Sequence, residues 1–130
     1  SELMAQRWAD IDLKRGHVRV SKAKPRTPAR RLVPLCPAAK AWLALCNQEG
    51  ELIGPGWASD HVRARLRDAK IPCPDNAFRH SFISFRCAAT GSVDQTSQES
   101  GNSPKIIFRH YRELVSPQQG KAWFGVKPGS

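Results

Sequence analysis

Tyr111 is the one tyrosine of the chain, set in Phe108-Arg109-His110-Tyr111-Arg112-Glu113-Leu114. A phenol on a helix has two common uses. Its ring packs while its hydroxyl reaches the surface, or its oxygen attacks an electrophile. Upstream, Arg79-His80-Ser81-Phe82 opens another helical run, where the simplest role for an arginine is a surface or salt-bridging one. A third feature is cationic. Between Lys14 and Arg31 stand eight lysines and arginines and no acid, with Lys22, Lys24, Arg26, Arg30 and Arg31 gathered towards the tip. Such a segment suits contact with a phosphate backbone and release of its counterions, although the same composition also serves a solvated loop.

The whole chain shares that bias. Its 130 residues hold 21 Lys plus Arg against 11 acids, a net charge of +10, with a pI near 10.1. Nucleic acid is the first partner such a charge suggests. RNA or ribosome association is an alternative on charge alone. Hydrophobic residues at 40% and charged ones at 25% are ordinary for one globular domain. No apolar run is long enough for a membrane span, and the start lacks a basic leader or apolar secretory core, so a cytoplasmic location is expected. Cys36, Cys46, Cys73 and Cys87 form no CxxC pair, and the four histidines add no zinc-ligand spacing. Reduced thiols and no metal are therefore expected.

The elements that must position these groups follow from pattern. His17-Val18-Arg19-Val20 alternates, Lys14-Arg15-Gly16 turns, and Arg30 to Leu35 reads as a second strand ending at Pro34. Helices are predicted from Pro37 to Cys46, Ala58 to Lys70, Asp75 to Thr90 (capped by Asp75 and ended by Gly91), and Val93 to Ser100. Two more open at the Ser-Pro pairs 103–104 and 116–117, the first running to Leu114 and the second to about Phe124. The predicted fold class is α+β, mainly helical, with an N-terminal β-hairpin or small antiparallel sheet followed by a helical bundle.

Four segments, in this order, resemble the catalytic domain of the tyrosine recombinase (phage integrase) family. SELMAQRWADIDL looks like the family's first box, and the basic hairpin ending in RRLVPL resembles the one that carries a catalytic lysine. NAFRHSFIS is similar to the second box, and SGNSPKIIFRHY to the last, with Tyr111 nine positions after Asn102. The resemblance runs from Ser1 to about Phe124.

The resemblance implies that Tyr111 attacks a DNA phosphate, forming a 3′-phosphotyrosyl bond and releasing a 5′-hydroxyl without metal or cofactor. It makes Arg79 one of two arginines that clamp the phosphate. The other belongs three residues before Glu2, so the chain reads as a fragment that also lacks an N-terminal DNA-clamping domain and is itself expected to be inactive. Lys24, with Lys22 as the alternative, matches the lysine that protonates the leaving oxygen. Asn76 and Asn102 stand where the family usually has histidine; each can hydrogen-bond to phosphate, and neither can act as a base near neutral pH. His80 or His110, each one residue from a matched site, could supply the missing base. Lys22, Arg26, Arg30, Arg31 and His80 are the expected DNA contacts. The implied partners are double-stranded DNA and further copies of the protein in a dimer or tetramer, with no membrane or small-molecule substrate. A module of the same fold that binds DNA but no longer cuts it is the alternative. The Ala-Trp-Phe ending at Phe124 would pack on its own domain or dock on a neighbouring protomer.

Overall fold

The computed structural model describes residues 5–21, 30–53, 59–111 and 115–129. Among the described residues the fold is α+β, with a three-stranded antiparallel sheet preceding six α-helices. A short 3-10 turn, Trp8–Asp10, leads into β1 (Ile11–Asp12), β2 (His17–Ser21) and β3 (Arg30–Pro34), in the spatial order β1-β2-β3. The β1–β2 turn closes where Asp12 accepts the Arg15 backbone N–H at 2.8 Å and Gly16 takes φ +78°, a conformation that favours glycine. β2 and β3 pair from His17 opposite Pro34 to Ser21 opposite Arg30. Val18, Val20, Arg31 and Val33 therefore share one face.

The helices are α1 (Pro37–Leu43), α2 (Ser59–Asp68), α3 (Ala77–Thr90), α4 (Val93–Ser100), α5 (Pro104–Tyr111) and α6 (Pro117–Trp123). Their starts follow local chemistry. Ser92 caps α4 through the Gln95 N–H, Ser103 accepts from Ile106 N–H at α5, and Ser116 and Gln119 form a reciprocal capping box at α6. Gly91 and Gly101, at φ +66° and +75°, end α3 and α4.

Two expectations are corrected. α1 stops at Leu43 rather than Cys46, because the Leu45 and Cys46 N–H groups bond three residues back, to Trp42 and Leu43, and tighten the last turn. Asp75 does not cap α3. Asn76 holds the cap position in the left-handed region, φ +57°, without a side-chain cap bond, and the Asp75 carboxylate accepts from Arg63 at 3.1 Å. β1, only two residues long, is an addition to the expected hairpin.

The core is small. Ile83 from α3 and Ile107 and Tyr111 from α5 form its buried centre, with Phe82, Cys87 and Val93 against it. α6 lies along α3 in the same chain: Phe85 and Trp123 stack at 4.3 Å, and Phe82 meets Phe124 edge to face at 6.0 Å. The indole N–H of Trp42 donates to the Val126 carbonyl at 2.9 Å, tying the end of the chain to α1. Among the described residues no helix is long and apolar enough to cross a membrane.

Gly120 makes the close approach of α6 possible. A Cβ there would stand 2.7 Å from Ala89 N and from Phe85 O, so neither neighbour could yield without moving backbone. Gly120→Ala is expected to cost about 1–3 kcal/mol by overpacking. Exposed Gln118→Ala in the same helix should stay within about 0.5 kcal/mol. Urea unfolding of both variants checks the difference.

Candidate active site

The first turn of α3 carries Arg79 and His80, and Asn76 holds the cap position just before it. The Asn76 carbonyl accepts the His80 backbone N–H at 2.9 Å. Arg79 reaches the α4–α5 turn, where its Nη2 donates to the Ser100 carbonyl at 3.3 Å and to the Asn102 side-chain oxygen. His80 reaches the other end of α5: its Nδ1 lies 2.5 Å from Tyr111 Oη. Two consecutive residues of α3 thus hold both ends of the 102–111 segment.

Tyr111 is 7% exposed, its ring packed on Ile83 and Ile107, whereas Arg79 and His80 are exposed. The phenol is fixed by the core and directed at a solvent-facing imidazole. Among the described residues no partner engages Nε or Nη1 of Arg79, which between them carry three N–H donors. The arrangement can present a hydroxyl beside a nitrogen base at one end of the segment and, at its other end, a guanidinium fork suited to a tetrahedral anion.

Asn102 is itself held. Its backbone carbonyl accepts from Ser97 Oγ at 2.6 Å, and its N–H donates to Ser100 Oγ at 3.2 Å. Behind this turn lies a charged group that reading the sequence missed. Glu99, buried at the end of α4, receives both arms of Arg86 at 2.6 and 2.8 Å and the Gln95 amide at 3.0 Å. The hydrogen bonds to Glu99 raise the proton affinity of Arg86 above that of an ordinary arginine, outweighing the opposing effect of burial. That contribution to stability is complete below the ordinary arginine range and is lost only above it. Arg86 also covers the Phe124 ring at 5.5 Å. The signal available in sequence was periodicity: Thr96, Glu99 and Ser100 fall on one face of α4 at i, i+3 and i+4, and all three are buried.

Other expected residues are distributed differently. Arg31 turns inward, donating from Nε to the Glu99 carbonyl at 3.1 Å and lying over Gly101, where its Nη1 is 3.1 Å from the place a Cβ would take. It braces the α4–α5 turn instead of reaching outward. Arg30 is exposed on β3. Lys22, Lys24 and Arg26 lie outside the described residues, as does Glu2. His110 is exposed, and among the described residues no hydrogen bond joins it to the phenol. Away from this site, Arg63, Arg67 and Lys70 line an open recess of about 600 Å³ at the end of α2.

Comparison with protein-family models, with curated proteins and with solved structures finds no match to this chain.

Removing one partner of the Arg86–Glu99 pair leaves a buried charge uncompensated. Arg86→Met is expected to lower stability by about 3–5 kcal/mol. The double variant Arg86→Met/Glu99→Leu should recover a large part of that loss, and denaturant unfolding of the single and double variants measures it.

Proposed function

We propose that this chain is catalytic-domain sequence of a DNA strand-breaking and rejoining enzyme of the tyrosine recombinase kind, with Tyr111 as nucleophile and Arg79 on the scissile phosphate. The observation that carries the reading is the joint placement of Tyr111, His80, Arg79 and Asn102 around the first turn of α3. The ordered sequence boxes add support, as does the fold class: a small antiparallel sheet followed by helices is what the resemblance implies. The net charge of +10 suits a polyanionic duplex.

On this reading a backbone phosphate sits between the Tyr111 hydroxyl and the Arg79 guanidinium. Attack by Oη forms an O–P bond and breaks the bond to the 5′-oxygen, and the phosphotyrosyl link conserves the energy needed to reseal the strand. Negative charge grows on the non-bridging oxygens as the phosphorus becomes pentacoordinate. Nε and Nη1 of Arg79 supply donors where that charge appears. Asn102 holds the guanidinium by its side-chain oxygen, an orienting role that asparagine performs without changing protonation. The hairpin lysine (Lys24, or Lys22) protonates the departing oxygen. Exposed Arg30 and the cationic recess on α2 contribute phosphate contacts that set position and affinity but read no sequence.

A second reading, a module that binds DNA without cutting it, is favoured by Asn76 and Asn102 standing where proton-transferring or orienting histidines would be. One experiment separates the two. Full-length protein incubated with a nicked suicide duplex is expected to give a covalent protein–DNA adduct, and Tyr111→Phe to abolish it. Binding without any adduct would support the module instead. For both readings, log affinity should fall with log salt by roughly 0.9 for each phosphate contact. A salt-independent isotherm contradicts both.

A further inference from the structure

We propose that His80 is the general base of the reaction, its Nδ1 taking the phenolic proton of Tyr111 as Oη attacks phosphorus. The inference rests on the strand-cleavage reading above and adds a residue that reading leaves unassigned.

Three observations lead to it. The first is contact: Nδ1 stands 2.5 Å from Oη, with the rings 5.4 Å apart and tilted by 33°. Hydrogen-bond reach of the proton to be moved is the first requirement of a general base. The second is chemical elimination at the helix start. Asn76, at the cap position before α3, carries an amide that accepts no proton near neutral pH, and Asn102 is bonded to Arg79. The third is environment. The phenol ring is locked in the core by Ile83 and Ile107, while the imidazole is exposed and can release a proton to solvent after each turnover. His110, the other histidine one residue from a matched position, is exposed on α5 and unbonded to the phenol among the described residues.

The step balances. With Nδ1 unprotonated, the tyrosine O–H donates to it, and Nε2 carries the imidazole's own proton. Attack forms the Oη–P bond, moves the phenolic proton to Nδ1 and breaks the P–O5′ bond. The departing oxygen takes its proton from the hairpin lysine, so acid and base are different residues. Resealing runs the same path backwards: the 5′-hydroxyl attacks, and the imidazolium returns its proton to the leaving phenolate.

Site-specific incorporation in the full-length protein places a fluorinated tyrosine at position 111. Ring fluorination makes a phenol more acidic and so lessens its need for a base. With the suicide duplex, His80→Gln is expected to slow adduct formation by about 10²–10⁴-fold, the usual contribution of a positioned base. Replacing Tyr111 by 3,5-difluorotyrosine should restore most of that loss in His80→Gln and change the unsubstituted protein little. A duplex with a 5′-bridging sulfur, whose leaving group needs no acid, should rescue a hairpin-lysine variant and leave His80→Gln slow. A purely structural histidine would give a slow variant that fluorination does not rescue, and that result overturns the assignment. So does a His80→Gln protein as fast as the parent. If the parent itself forms no Tyr111-dependent adduct, the strand-cleavage reading fails and the assignment falls with it; rapid His80→Gln cleavage removes the assignment alone.

Discussion

The structure depends on how α5 crosses the start of α3. α5 has eight residues, about 12 Å of helix, and both ends of its segment must meet the same helical turn. Residues 79 and 80 point about 100° apart around α3. One can serve the Asn102 end and the other the Tyr111 end only if α5 lies across that turn. Ile83 and Ile107, both fully buried, are the contact that fixes the crossing, and Tyr111 extends it to the site. Moving the crossing by one helical position would separate His80 from the phenol and Arg79 from the turn.

Charge fixes the other end of the arrangement. Three arginines converge on the last residues of α4: Arg86 on the Glu99 carboxylate, Arg31 on the Glu99 carbonyl and Arg79 on the Ser100 carbonyl. Arg31 and Arg79 satisfy carbonyls that the end of a helix leaves without intrahelical partners, and all three bring cations to its negative pole. A buried ion pair is a weak source of net stability, since desolvation consumes most of the Coulomb gain. Its value here is positional. Arg86 binds α3 to α4, Arg31 binds the sheet to the same point, and the turn carrying Asn102 is held from both sides. The α4–α5 turn is thus tied to the sheet and the helical layer together, although the apolar core among the described residues is small.

Much of this was legible in the residues. The alternation of His17 to Val20, the Ser-Pro pairs before α5 and α6, and Gly91 and Gly101 each act within a few positions, so their consequences could be read locally. β1 could not be, because two residues are too few for a period. The left-handed Asn76 at the cap was not legible either, nor the contact of the Asp75 carboxylate with Arg63, twelve positions away. The same limit applied at the site. Charges such as Arg86 and Glu99 are read as solvent-facing until the packing that buries them is known. His80 and His110 were equivalent alternatives in sequence, and only the direction in which α3 meets α5 separates them. Arg31 belonged to a cationic run, yet the face of β3 it occupies turns it towards Gly101.

On the strand-cleavage proposal, the Tyr111 oxygen becomes bonded to a DNA phosphorus. The most direct test is the chemical identity of the link. Nuclease and protease digestion of protein trapped on cleaved duplex, followed by mass spectrometry, should give a peptide with a nucleotide joined through its 3′-phosphate to Tyr111, and a released strand bearing a 5′-hydroxyl. A link at any other residue, or a released strand ending in 5′-phosphate, would contradict the account.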